Sequence, residues 1–244
     1  MRPGPVTTEQ LNRLAYGEPG KQNGWRQGQH VLITGPTGSG KTALARHILQ
    51  KRLDRGGHVV MFVCKLKDDE TITEDYKGWT RWKEWKTRPG PFENKILLYP
   101  DLRKYPVEEA MLRQKYIFND ALNKLSMVGK WTAYCDEGLY FCDPQFLGFG
   151  RKWAMMHAMG RSSKLTLVTA AQRPANIPKI IYGSASHAFT GRCNEADDLA
   201  RLAALQGKES RKELSNLISG NAQHDFVWSP IAPDWSAERM NLSV

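Results

Sequence analysis

The chain has 244 residues, 41% of them hydrophobic, with 35 Lys or Arg against 25 Asp or Glu for a formal charge of +10. That hydrophobic share permits a packed core and excludes wholesale disorder, and the length suits one large α/β domain or two small ones. The charge surplus favours polyanions, nucleic acid or anionic lipid, although composition alone is equally compatible with a merely basic surface.

Residues 1–29 are polar and punctuated by Pro3, Pro5, Gly17, Pro19, Gly20, Gly24 and Gly28, which reads as an arm leading into the fold. HVLITG (30–35) is a short apolar run bounded by glycine, the pattern of a buried parallel strand. A glycine-rich turn opens into a helical pattern over 42–57, stopped by Gly56 and Gly57, and HVVMFVC (58–64) is a second strand. Residues 65–94 break the rhythm. They carry Trp79, Trp82 and Trp85 among Arg81, Lys83, Lys86 and Arg88, and read as a basic insertion making an excursion from the sheet.

KILLYP (95–100) returns to a strand, 107–128 is a long amphipathic helix ended by Gly129, and WTAYCDE (131–137) is an apolar strand with acids at its carboxyl end. A helix is expected over much of 144–160. KLTLVTAAQ (164–172) is another buried strand, HAFTGR (187–192) a further one, and EADDLARLAAL (195–205) a helix. The charged segment KESRKELSNL leads to a strand at 224–230 and a loose tail, 231–244. Alternation of strand and helix predicts an α/β fold of three layers. A mostly parallel central sheet is covered on both faces, within one domain spanning 30–230.

GPTGSGKT (35–42) fits G-x-x-x-x-G-K-[ST] without mismatch, in the strand-to-helix context that confirms a phosphate loop. Gly35, Pro36, Thr37, Gly38, Ser39 and Gly40 form the turn, whose glycines let backbone amides point inward at a helix N-terminus. Lys41 is placed to reach the β- and γ-phosphates of ATP, and Thr42 to offer its hydroxyl to Mg²⁺. Such a loop requires an acid at the end of a neighbouring strand, and Asp136 has that setting as a metal-site residue. Glu137 beside it is suited to accept a proton from water attacking the γ-phosphate. The pairs Glu108-Glu109 and Asp197-Asp198 read instead as solvated faces or helix-start charges. Gln172 ends the strand beside the loop, where a polar group can orient the attacking water.

Taken with the loop and Asp136-Glu137, LTLVTAAQRP (165–174) resembles the fourth strand of the HerA/FtsK group of DNA-pumping ATPases. The downstream IPKIIYGSASHAFTGRCNEADDLARL is similar to that group's next segment of short helix, strand and Asp-containing helix. The resemblance implies a three-layer, RecA/FtsK-like P-loop fold and a ring of copies, hexamer or pentamer, that moves double-stranded DNA. It also implies a role in trans for Arg161, although Arg151, Arg173 and Arg192 compete for it. A compact member is most like the packaging ATPases of viruses and phages, which implies a capsid portal or vertex partner; a plasmid-transfer motor is the nearest variant. A small-molecule or nucleoside kinase and a nucleotide-dependent assembly switch are the competing readings.

The three tryptophans fit two roles: packing in a core or subunit interface, which their three-residue spacing favours along a helix, and stacking against bases in a DNA-gripping loop. Cys64, Cys135, Cys142 and Cys193 show no paired or zinc-like spacing, which suggests free thiols in a reducing compartment. The first twenty residues lack the apolar core of a signal peptide, and no stretch approaches the ~18 apolar residues of a spanning helix. The expected location is therefore cytoplasmic: the host cytoplasm, or the virion for a viral chain.

Overall fold

The computed structural model describes residues 12–15, 24–66, 71–86, 93–193, 195–203, 216, 218–220, 222–230 and 238–241. Most of the arm, parts of the 65–94 insertion, nearly all of the charged segment after 207 and most of the tail lie outside the described residues.

The strands are β1 (His30–Thr34), β2 (His58–Phe62), β3 (Thr80–Trp82), β4 (Lys95–Leu98), β5 (Trp131–Cys135), β6 (Thr166–Ala171), β7 (Ala185–Thr190), β8 (Asp225–Pro230) and β9 (Glu238–Asn241). The helices are α1 (Lys41–Asp54), α2 (Val107–Val128), α3 (Gly138–Cys142), α4 (Gly150–Ser163), α5 (Lys179–Ser184) and α6 (Ala196–Ala203). Among the described residues the strands form one sheet in the order β3-β4-β2-β5-β6-β1-β7-β8-β9. All pairings from β3 to β7 are parallel, while β7–β8 and β8–β9 are antiparallel.

Alternation along each central strand sends side chains to two cores. Val31, Ile33, Val59, Met61 and Val168 pack with Leu44, Ala45, Ile48 and Leu49 of α1 on one face. Leu32, Val60, Phe62, Ala133 and Leu167 pack with Phe118, Ala121 and Leu125 of α2 and Trp153 of α4 on the other. Each such large apolar side chain, fully buried, contributes about 1.5–3 kcal/mol of hydrophobic free energy. This is the expected three-layer α/β architecture.

Helix boundaries follow local chemistry. α1 begins at Gly40, whose φ of 90° is left-handed, and Lys51 and Arg52 in its last turn complement the dipole. The buried Arg52 lays its guanidinium 3.8 Å from the Trp25 ring centroid. α2 carries Glu108 and Glu109 in its first turn and ends at Gly129, φ 62°. A Cβ there would lie 2.0 Å from the Ser163 carbonyl oxygen, so only glycine lets α2 finish against the end of α4.

Three expectations change. The insertion does not leave the sheet: β3 pairs in parallel with β4 and forms the edge. Its tryptophans lie on a strand and the turns beside it. Trp82 is fully buried, stacked edge-on against Trp85, which in turn meets Trp131. The three-residue spacing is therefore that of packed strand and turn residues. The helix expected over much of 144–160 is α4, which starts at Gly150; the short α3 before it lies outside that expectation, and Pro144 and Gly148 lie between the two. Within the tail, residues 238–241 pair with β8.

Candidate functional site

β1 lies between β6 and β7, pairing Thr34 with both Ala171 and Thr190. The chain leaves β1 through α1 and arrives at β2 three places away, with β6 and β5 between. This reversal makes the carboxyl end of β1 a topological switch point, where a crevice opens. The phosphate loop occupies it.

The Gly35 amide donates to the Ala171 carbonyl at 3.2 Å, and the Gly191 amide to the Thr34 carbonyl at 2.7 Å, so the loop is tied to both neighbouring strands. Gly38 and Gly40 take φ of 75° and 90°, the left-handed values that turn the loop into the helix. Lys41 Nζ donates to the Pro36 carbonyl at 2.8 Å, folding the side chain over the loop. Burial pushes the Lys41 ammonium below its ordinary range, opposed by the charges of Glu137 and Asp136. Inside the turn, Ser39 Oγ and Thr34 Oγ1 are buried without protein partners.

The acid strand is not the neighbour of β1: β6 separates β5 from it. The acids, directly after the carboxyl end of β5, still reach the start of α1. Thr42 Oγ1 lies 3.5 Å from Asp136 Oδ1, across 94 residues of chain. The fully buried Tyr134 donates its hydroxyl to the same oxygen at 2.6 Å, holding the Asp136 carboxylate from beneath. Gln172, at the end of β6, donates to Glu137 Oε2 at 3.4 Å, while Glu137 Oε1 is buried and unpartnered. Burial raises the Glu137 carboxyl above its usual range, and the charge of Asp136 adds to this; the Gln172 hydrogen bond and Lys41 work the other way. Gly138 follows at once. A Cβ on it would meet the Ala170 carbonyl oxygen at 2.8 Å, so the start of α3 packs directly on the end of β6.

A cleft of about 490 Å³ runs beside the loop, lined by Gly35, Pro36, Gln172, Arg173, Thr190 and Arg192 among others. Hydroxyl, carboxylate and amide groups facing one loop of inward amides suit a phosphate ester and a hard divalent cation. The unpartnered Ser39, Thr34 and Glu137 oxygens are consistent with that fit. No group of three or more His, Cys, Asp or Glu side chains is arranged to hold a metal by protein ligands alone among the described residues. A cation completed by phosphate and water oxygens needs none.

Arg161 stands apart. It is exposed at the end of α4, with its Cα 3.2 Å from where a Cβ on Gly28 would lie, hence at the amino edge of the sheet. The length of β1 separates it from the loop of its own chain. Arg173 is held by Asp198, Nε to Oδ2 at 3.0 Å. Asp198 is 1% exposed, so the expectation of a solvated acid is wrong for it and holds for the exposed Asp197. The signal was available: Asp198 lies four residues before the buried Leu202, on the same helical face.

A family profile described as Novel STAND NTPase 3 matches residues 22–79, the stretch around the phosphate loop. No curated protein matches the chain. Solved structures do. The genome packaging NTPase B204 from Sulfolobus turreted icosahedral virus 2, in complex with sulfate, superposes with a TM-score of 0.60 at 14% identity, covering 90% of this chain and 99% of that one. The same NTPase in complex with ATP-gammaS gives 0.57 at 14% identity, covering 88% and 97%. The cytoplasmic domain of the Thermomonospora curvata Type VII Secretion ATPase EccC gives 0.53 at 15% identity, covering 99% of this chain and 29% of that one. The chain thus shares the fold of these packaging and secretion ATPases. No helix among the described residues is long and apolar enough to cross a membrane.

Proposed function

We propose that this chain is an ATP-hydrolysing motor that moves double-stranded DNA, packaging a viral or phage genome into a capsid. The observation that carries the hydrolytic part is the meeting of Thr42 and Asp136 at 3.5 Å, which brings two distant strand ends to one phosphate loop. Support for the motor part is the likeness of fold over 90% of the chain to a genome packaging NTPase, together with the +10 charge.

Loop amides of residues 35–42 hold the phosphates, and Lys41 turns from the Pro36 carbonyl to the β- and γ-oxygens. Thr42 and Asp136 would be the hard-oxygen donors for Mg²⁺, which would supply neutralisation of the phosphate charge. Glu137 accepts the proton of the attacking water, oriented by Gln172. Because burial raises its pKa, Glu137 is fully ionised only above the usual carboxylate range, so turnover climbs as pH rises through that shifted value. Arg161 reaches the site of the adjacent copy in a five- or six-membered ring, stabilising charge on the transferred phosphoryl group. Double-stranded DNA and a capsid portal or vertex are the partners. The work is done in the host cytoplasm or on the virion.

The test is the ATPase rate with and without double-stranded DNA across a salt series, alongside the assembled mass. DNA should stimulate turnover, and the stimulation should fade with salt as counterion release predicts. A rate indifferent to DNA at every salt concentration would overturn the motor reading in favour of a nucleotide-dependent switch. A phosphorylated small acceptor would establish a kinase.

A further inference from the structure

The segment that carries Gln172 is clamped at its far side. Asp198, on α6, accepts from Arg173 Nε at 3.0 Å with one carboxylate oxygen and from the Ala175 amide at 2.9 Å with the other. Arg201, one turn further along α6, donates to the Ala175 carbonyl at 3.1 Å. Tyr182 of α5 donates to the Pro174 carbonyl. Residues 173–175 are thus gripped by two helices immediately after the glutamine that touches Glu137.

A carboxylate this deeply buried is expensive unless its charge and lone pairs are met, and here both oxygens are occupied. α6 is itself fixed: Leu199 and Leu202 pack into the core shared by α2 and α4. Arg173 is half exposed, with its side chain 49% accessible, and lines the cleft beside Gly35 and Pro36. Glu195 Oε2 stands 3.8 Å from its other guanidinium nitrogen. The clamp therefore links the core to the edge of the phosphate crevice through one ion pair.

We propose that Asp198 is a positioning residue for hydrolysis. Through Arg173 and the Ala175 amide it sets the path of residues 172–175, so that Gln172 keeps its hydrogen bond on Glu137. Neither Asp198 nor Arg173 touches the reacting atoms in this role. α6 becomes the element through which a shift in the Gln172 segment is felt in the core, or imposed from it. This rests on the reading of Glu137 as the proton acceptor.

The proposal is tested on the full chain with Asp198→Asn, Arg173→Ala and the double variant. Turnover in each should fall on the order of 10-fold, the scale expected when a catalytic group is held slightly off its line. ATP affinity of Asp198→Asn, read by a fluorescent analogue, should not change. The double variant should be no worse than the poorer single one, since both cut one connection. A second readout does not require hydrolysis: the side-chain amide NMR signals of Gln172, assigned with Gln172→Ala. Loosening the clamp should shift those signals in both single variants, because the segment that carries Gln172 to Glu137 is no longer fixed. A purely structural Asp198 would lower melting temperature and nucleotide affinity together and leave the Gln172 signals in place. That result, or additive losses in the double variant, would overturn the proposal. If the Gln172 signals move as described but the wild-type chain never turns ATP over, the clamp stands and the hydrolytic reading falls.

Discussion

The two ends of the central strands handle buried polar groups in opposite ways. At the amino ends of β1 and β6 they are closed among themselves, whereas the buried His187 of β7 keeps both ring nitrogens without a protein partner. His30 accepts from the Leu167 amide at Nδ1 and faces the His157 carbonyl at Nε2, which fixes it as the neutral Nε2–H form. His157 is placed between Ser184 and Thr169, and Thr169 also accepts from Trp153. Gly28 donates to Thr166. At the carboxyl edge, Thr34 Oγ1, Ser39 Oγ and Glu137 Oε1 are buried with no protein partner. A protein keeps such atoms unpaired at a cost of about 1–3 kcal/mol each, unless something else completes them. The first edge is built for stability and the second for a ligand.

That contrast can be broken most severely at the carboxyl edge. Glu137→Gln should lower turnover by about 1,000-fold while ATP still binds, as expected for loss of a general base. The same change should raise the melting temperature near pH 8. Burial disfavours the charged carboxylate, so its cost is felt above the raised pKa and vanishes as pH falls through it. Thermal melts of both forms across pH would show whether the gain shrinks in that direction. Lys41→Ala comes next, with a loss of about 100-fold in turnover and weaker ATP binding, measured by ATPase assay and nucleotide titration.

The amino edge should answer to acid instead of to nucleotide. Burial lowers the His30 pKa to about 4 and pushes His157 well below its ordinary value. Their contribution is fully present above the unfolded value of ~6.5 and is lost as pH falls toward 4, on the order of 3 kcal/mol for His30 alone. His30→Ala should cost about 1–3 kcal/mol by leaving the Leu167 amide unpaired, and should flatten that acid slope. Its KM for ATP should not move; a changed KM would show that the two edges are coupled. The smallest effect on the fold is expected from Arg161→Ala, within about 0.5 kcal/mol because the side chain is exposed. Its turnover should drop only at concentrations where copies assemble, with partial rescue on mixing with Glu137→Gln chains.

The phosphate loop was legible because every position has its own reason, and the buried strands because apolar runs between glycines have few other homes. Gln172 was singled out from its place after a buried strand, and the structure sets it 3.4 Å from Glu137. Harder to read were features that depend on partners distant in sequence. Trp82 looks the same whether it stacks on a base or, as here, on Trp85 inside the fold. Asp198 shares a helical face with Leu202, yet what holds its carboxylate there is invisible until Arg173 and Ala175, more than twenty residues earlier, are brought to it. Strand order is of the same kind. Nothing local to WTAYC says that KLTLVTA lies between it and the loop strand, since that follows from which crossover packs where.

Gly138 bears on how far such chains can drift. A fold shared with a packaging NTPase at 14% identity accepts different residues at most positions. The residue after the acidic pair has less liberty. Any side chain there would act as a wedge 2.8 Å from a backbone oxygen of the adjoining strand, prising Glu137 away from the glutamine that steadies it. Lineages that lose this glycine should then be expected to have lost hydrolysis with it, keeping a domain that grips nucleotide without spending it.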